Sequence, residues 1–385
     1  MYEFDIFINL IKDTLGYKHN LNISELELND NEWDNVFKLA SEHSLLPLVI
    51  YSLKKNNILC KLHNAAFLQQ SFLNSVYSCE IKKAEIDKVC KIFEENQIKY
   101  IKLKGARIKD YYPEDWMRTS SDIDILIERE NINLATELLI NTYGYSKYVD
   151  NYHDVTLISP SKIILELHFS INENIKSLDK VLSQVWEYSY PLDNGTEYLQ
   201  TNEYFMFHNI AHMAYHFMTG GCGIRACIDC FLLKEKMDYD KSKVMQLCNE
   251  AGIGKFYTTL LQLLEVWFSD AENTEETTLM GDFIIKGGNF GTITSSIATK
   301  QSIQGGKLKY IRSRLFVTTE HLSGYYPIVK KYKFLIPIFQ VKRWFDRTKF
   351  RGGLNSYKEE FANNSKIDSS EVENAGKVLE MLNFK

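Results

Sequence analysis

Residues 121–128 read Ser-Asp-Ile-Asp-Ile-Leu-Ile-Glu, so Asp122 and Asp124 alternate with Ile123, Ile125 and Ile127. That is the pattern of a β-strand with one polar and one apolar face. The two carboxylates share a side, where they repel each other unless a cation or a base neutralises them. A divalent ion is the simplest solution: Mg²⁺ takes one or two carboxylates plus substrate phosphates, with Mn²⁺ as the alternative. Ile164, Glu166 and His168 alternate with Leu165 and Leu167 in the same manner. A neighbouring strand would thus bring Glu166 as a third acid to the same metals. Three carboxylates around two Mg²⁺ ions suit in-line phosphoryl or nucleotidyl transfer, because the metals clamp the attacking and leaving oxygens. A D-x-D pattern alone also fits a solvated strand face.

The flanking residues bear on that choice. Gln97 to Leu103 alternates polar and apolar like a half-buried strand, and Lys104-Gly105 follows it. A short helical segment, Ala106 to Tyr112, is predicted next and is stopped by Pro113. Backbone N–H groups at that junction would face the crevice where phosphates sit. Arg118-Thr119-Ser120-Ser121 directly precedes the Asp pair and places a guanidinium and hydroxyls beside it. Arg grips phosphate oxygens through its fork of donors, though Arg118 could equally serve to neutralise the two acids.

Taken together, Lys104-Gly105, then Arg118-x-Ser120-x-Asp122-x-Asp124, then Glu166 on a later strand, resemble the nucleotidyltransferase superfamily that includes DNA polymerase beta. The chain looks more closely like the bacterial uncharacterised nucleotidyltransferase family and is also similar to abortive-infection-type nucleotidyltransferase toxins. The resemblance covers residues 97 to about 170 and extends loosely to His208-x-x-x-His212 and Asp229. It implies that Asp122, Asp124 and Glu166 are catalytic and ligate Mg²⁺ or Mn²⁺. It also implies that Lys104, Gly105, Arg118, Ser120, Ser121 and His212 bind the nucleotide. Two departures stand out: Lys104-Gly105 replaces the superfamily's usual Gly-Ser, and Glu166 stands where many relatives have Asp. The implied activity is transfer of a nucleoside monophosphate from an NTP such as ATP to a small molecule, a protein or an RNA, with release of pyrophosphate. The alternatives are an inactive nucleotide-binding or scaffold protein of the same fold, and a toxin-like enzyme that modifies tRNA.

The rest of the chain must position these residues. At 385 residues it suggests two or three units, and 45% hydrophobic with 25% charged residues excludes disordered, collagen-like and disulfide-stapled classes. The expected fold is α+β: a small mixed sheet flanked by helical N- and C-terminal regions. Its divisions are a helical region over 1–94, a nucleotidyltransferase core over 95–175, a helical domain over 176–300 and a basic helical tail over 301–385. The core order reads β-α-β-α-β-β, with later strands at 154–158 and 163–169 and a helix over 131–142 ending near Gly144.

Other features read more plainly. His208, His212 and His216 form a stripe along one predicted helix without the Glu of a zinc-protease motif, which suits packing against the sheet, with His212 closing the nucleotide site. Cys227-x-x-Cys230 lies in a helical stretch with no second pair, so buried thiols are expected. The seven cysteines, the absence of a long apolar run and the acidic first residues suit a cytoplasmic protein. A net charge of −5 excludes a general nucleic-acid binder. The charge is unevenly spread, however. Between 303 and 351 twelve basic residues face two acidic ones, a local +10 that leaves about −15 elsewhere. Interleaved with aromatics, this stretch fits an anionic partner, either a membrane surface approached peripherally or a nucleic acid, or else a basic face balancing the acidic remainder.

Overall fold

The computed structural model describes residues 2–150, 153–269, 271–289, 291–319, 322–323, 326–350, 362–364 and 367–384. Four helices come first: α1 (Tyr2–Leu15), α2 (Asp30–Glu42), α3 (Leu46–Lys55) and the long α4 (Ala65–Glu95). Helix α2 starts at a capping box, in which the Asn29 side chain accepts from Glu32 N–H and Glu32 accepts from Asn29 N–H. Its apolar residues Trp33, Val36, Phe37 and Ala40, spaced at the helical period, are all buried.

The sheet segment follows as β1 (Tyr100–Lys102), α5 (Gly105–Ile108), β2 (Asp122–Ile127), α6 (Ile132–Tyr143), β3 (Ser146–Asp150), β4 (Asp154–Ile158), β5 (Ile164–His168), α7 (Lys176–Leu182), β6 (Ser189–Pro191) and β7 (Glu197–Gln200). These strands make one seven-stranded mixed sheet in the order β3-β4-β5-β2-β1-β7-β6. The pairs β2–β5 and β1–β7 are parallel and the others antiparallel. The fold is α+β, as the sequence predicts. Ile123, Ile125, Ile127, Leu165 and Leu167 form one face and belong to a core that includes Ile86, Val89 and Phe93 of α4 and Ile132, Ala135 and Leu139 of α6. Each such side chain contributes roughly 1.5–3 kcal/mol by leaving water, which fixes the register of β2 and β5 firmly. Gly144 ends α6 in the left-handed conformation at φ 73°, its N–H bonded to Leu139 O.

Several local expectations need correction. The first strand is only Tyr100–Lys102, because Gln97 at φ 54° and the Ile98 N–H to Phe93 O bond still belong to the end of α4. The helix predicted over 106–112 is one α turn followed by a 3₁₀ turn at Lys109–Tyr111, too short to carry a helix dipole. Strand β3 escapes a pattern reading because it is a polar edge strand, with Tyr148 and Val149 exposed. The hairpin of β6 and β7 interrupts the stretch read as helical after 178. It turns through Gly195, at φ 72°, and its second strand adds to β1 in parallel.

Helices make up the remainder: α8 (Asn202–Thr219), α9 (Ile224–Lys236), α10 (Lys241–Glu250), α11 (Gly254–Phe268), α12 (Glu275–Gly287), α13 (Ile293–Gln304), α14 (Lys307–Leu315), α15 (Ile328–Lys331), α16 (Ile336–Phe350) and α17 (Ser369–Met381). Backbone packing divides the chain into two units, one of residues up to 215 with 223–281, the other of 216–222 with 282 onward. Within the second unit, a side chain on Gly221 would strike the backbone of Gly291 and come 3.0 Å from Gly287 O, so only glycine lets these segments pass. In the same unit Gln301 donates to Asn364 at 2.6 Å, both buried. Among the described residues no helix is long and apolar enough to cross a membrane. Of the basic stretch, Glu320, Tyr325 and Arg351 lie outside the described residues, as do the side chains of 346–350.

Candidate active site

The polar face of the sheet follows from the same alternation that builds its core. Asp122 and Asp124 project opposite Ile123 and Ile125, and the parallel register sets Asp124 beside Glu166 and Leu126 beside His168. His168 Nε2 lies 2.9 Å from Asp124 Oδ1 and 3.5 Å from Glu166 Oε2. One donor atom from each of these three residues falls within 4.8 Å of the others, a spacing that a single divalent cation can bridge. Strand β4 extends the row, since its Asp154 and Thr156 pair with His168 and Glu166. Asp154 is buried, bonded by Thr156 Oγ1 at 3.1 Å and by His153 Nε2 at 3.0 Å, and the group His153, Asp154 and His168 is equally close-set.

The charges at this face are strongly interdependent. Burial opposes the imidazolium of His168, but its hydrogen bonds to Asp124 and Glu166 outweigh that cost and raise its pKa to about 9. Burial likewise opposes the Asp124 carboxylate, yet the His168 bond and the Lys104 charge hold it well below the usual carboxylate range. Asp122 moves the other way: burial and the neighbouring Asp124 push its carboxyl up, with the Ser121 hydroxyl bond at 2.9 Å only partly opposing. Asp124 and Asp122 are therefore unequal, the first firmly ionised and the second reluctant to be.

Cations reach the acids from three elements. Lys104 follows β1 with a strained backbone at φ 36°, and its charge acts on both Asp122 and Asp124. Lys82 of α4 donates to Ser120 O; burial lowers its pKa, and Asp122 counteracts this. Arg225 of α9 donates to Thr119 O at 2.9 Å and is pushed down to about 10 by burial and by Arg118. Arg118 is held chiefly by Asp229, and its charge also acts on Asp124. Its Nε bonds Asp229 at 2.8 and 3.0 Å, and its Nη1 bonds Thr119 O at 2.7 Å. Asp229 also accepts from the Tyr112 hydroxyl at 2.8 Å, so a buried knot ties α9 to the loop that delivers Asp122. Gly105 packs against this guanidinium, its side-chain position 3.5 Å from Arg118 Nη1.

His212 lies on the α8 side, its Nδ1 2.8 Å from Glu173 Oε1, and its charge reaches Asp124. His208, one turn earlier, is buried beside Gln200 and held neutral by burial. Cys227 and Cys230 are buried, burial pushes the Cys230 thiol up, and the seven cysteines, all described, form no disulfide. Lys82 and Arg225 gave no sequence signal, because only the tertiary fold brings α4 and α9 to the loop at 118–121. His168 did give one: it continues the Glu166 alternation on the same face.

The site thus combines a D-x-D strand, a third acid on the parallel neighbour and a cation-rich loop on a mixed α+β sheet. A sequence family described as uncharacterised nucleotidyltransferase matches residues 29–269, from the cap of α2 to just beyond α11. No curated protein matches the chain. The matched span exceeds half of the chain and takes in every acid and cation described above, and on that ground the chain belongs to the uncharacterised nucleotidyltransferase family.

Proposed function

We propose that the protein is a divalent-cation-dependent enzyme that moves a nucleoside monophosphate from an NTP to an acceptor hydroxyl or phosphate, releasing pyrophosphate. The observation that carries this reading is the parallel register of β2 and β5, which sets Glu166 beside Asp124 on the polar face. The donor set fits a hard divalent ion: Asp124 and Glu166 offer close-set carboxylate oxygens with Asp122 on the same face, and His168 would add a nitrogen only by giving up its proton as the metal enters. Held there, Mg²⁺ or Mn²⁺ would supply charge neutralisation of the triphosphate. Lys104, Lys82 and Arg225 add positive charge for the phosphates, and Ser120 and Ser121 offer hydroxyls. Arg118 with Asp229 positions the loop before Asp122. His212, anchored by Glu173, lines the α8 side of the nucleotide. The acceptor oxygen attacks the α-phosphorus, the bond to the bridging oxygen breaks, and its electron pair leaves with pyrophosphate. When the acceptor is a hydroxyl, Glu166 receives its proton.

The test incubates the protein and cell extract with each of the four α-labelled NTPs, with Mg²⁺ or Mn²⁺. Metal-dependent transfer of label to a small molecule, a protein or an RNA, with pyrophosphate released, is expected. The Asp122→Asn/Asp124→Asn variant should lose more than roughly a hundredfold of that rate while keeping its circular dichroism spectrum. Wild-type turnover in the double variant refutes the assignment.

A further inference from the structure

In the second unit, α16 turns hydrogen-bonding side chains inward and leaves an apolar row on its outer face. Its inward-facing residues are polar: Gln340 Nε2 donates to Val317 O at 2.6 Å, Arg343 Nη2 to Leu315 O at 2.9 Å, and Trp344 Nε1 to Leu315 O at 2.7 Å. Four apolar residues face solvent instead, while Phe339 is half-buried with its ring 4.8 Å from that of Tyr326. Phe334 in the turn just before the helix is 76% exposed, and Ile338, Val341 and Phe345 are 61%, 44% and 64% exposed. Their numbers step by four, three and four, so they form one continuous row along the helix. Phe316, also exposed, packs edge-on against Trp344 with ring centroids 5.5 Å apart and widens the row. A soluble helix turns the other way, because water does not reward an exposed Ile or Phe.

We infer that this row inserts into the headgroup region of an anionic phospholipid surface. The charge around it selects that occupant. Residues 326–345 contain Lys330, Lys331, Lys333, Lys342 and Arg343 and no acidic residue. Lysines flanking an exposed apolar row meet lipid phosphates while the row enters the acyl boundary, an arrangement that binds interfaces without spanning them. A second copy of the chain would set like charge against like charge. A nucleic acid would gain nothing from Ile338 and Val341, which offer no flat ring for a base to stack on.

The test adds the full-length protein to vesicles of phosphatidylcholine alone or mixed about equally with phosphatidylglycerol, and follows co-sedimentation and Trp fluorescence. Binding to the anionic vesicles and not to the neutral ones, weakened by salt, is expected. Phe334→Ser/Ile338→Ser/Phe345→Ser should abolish it, with an unchanged unfolding midpoint because the three side chains are exposed. Lys330→Gln/Lys331→Gln/Lys333→Gln should weaken it roughly a hundredfold, at roughly fivefold per lysine. The inference falls if the protein ignores anionic vesicles or if the serine variant binds as the wild type does. It falls equally if the row instead holds a dimer that the serine variant dissociates, or if a single-stranded oligonucleotide binds through the row and lipid does not. No nucleotide transfer is read, so this result and that of the proposed activity are independent.

Discussion

Strand β2 turns Ile123, Ile125 and Ile127 into the core and leaves its carboxylates on an open polar face, whereas α16 keeps Gln340, Arg343 and Trp344 inward and exposes Ile338, Val341 and Phe345. Both departures cost stability, by different physics. On β2 the cost is like charge gathered in a partly dry place, offset locally by Lys104, Lys82 and His168. On α16 it is apolar area left in water, which nothing within that helix offsets. Cations of the chain itself balance part of the first arrangement, and the second is the one that the proposed lipid surface would cover. Residues gathered against their own stability are where a functional reading is best sought.

Exchanging the two faces of β2 is the sharpest way to break the comparison. Asp122→Asn should remove more than roughly a hundredfold of transfer activity while leaving stability equal or higher, because burial, Asp124 and Glu166 all disfavour that charge. Ile125→Ala, three residues on, should cost about 2–5 kcal/mol in urea unfolding and leave turnover per folded molecule intact. A large loss of stability in Asp122→Asn would overturn the contrast.

The knot behind the site carries the next effect. Asp229→Asn leaves the buried Arg118 and the Tyr112 hydroxyl without their carboxylate and should cost about 3–5 kcal/mol. Tyr112→Phe, which spares the ion pair, should cost about 1 kcal/mol. Equal losses in the two variants would show that the guanidinium does not depend on Asp229.

The remaining effect is a pH dependence. His168 has a pKa raised to about 9 in the folded chain, against about 6.5 unfolded. Its stabilisation is therefore fully present below the unfolded value and is lost as pH rises through the folded one. In EDTA, the urea midpoint should fall between pH 6.5 and about 9, by on the order of 2 kcal/mol. His168→Asn should flatten that fall; an unchanged slope would separate His168 from the acids.

Much of this was legible in the order of residues, and the reasons for the rest are specific. Period-two alternation exposed Asp122, Asp124 and Glu166 because a buried face enforces it. Period 3.6 revealed α2 for the same reason. Strand β3 has no buried face to announce it, and β7 owes its place to pairing with β1, where Tyr100 meets Glu197 far along the chain. The sequence placed Arg118 beside the acids but not its partner Asp229, because it shows only neighbours along the chain. The basic and aromatic residues of α16 were plain, but which of them face inward depends on carbonyls at 314–317 that no periodicity marks.

The Arg118–Asp229 pair also imposes an order of events during synthesis. A ribosome that has delivered the D-x-D strand has still to make more than a hundred residues before the counter-ion of Arg118 emerges. Until α9 docks, the loop ahead of Asp122 holds a guanidinium with nothing to bind it in place. The nascent chain therefore carries Asp122, Asp124 and Glu166 well before the helix that locks the loop ahead of them.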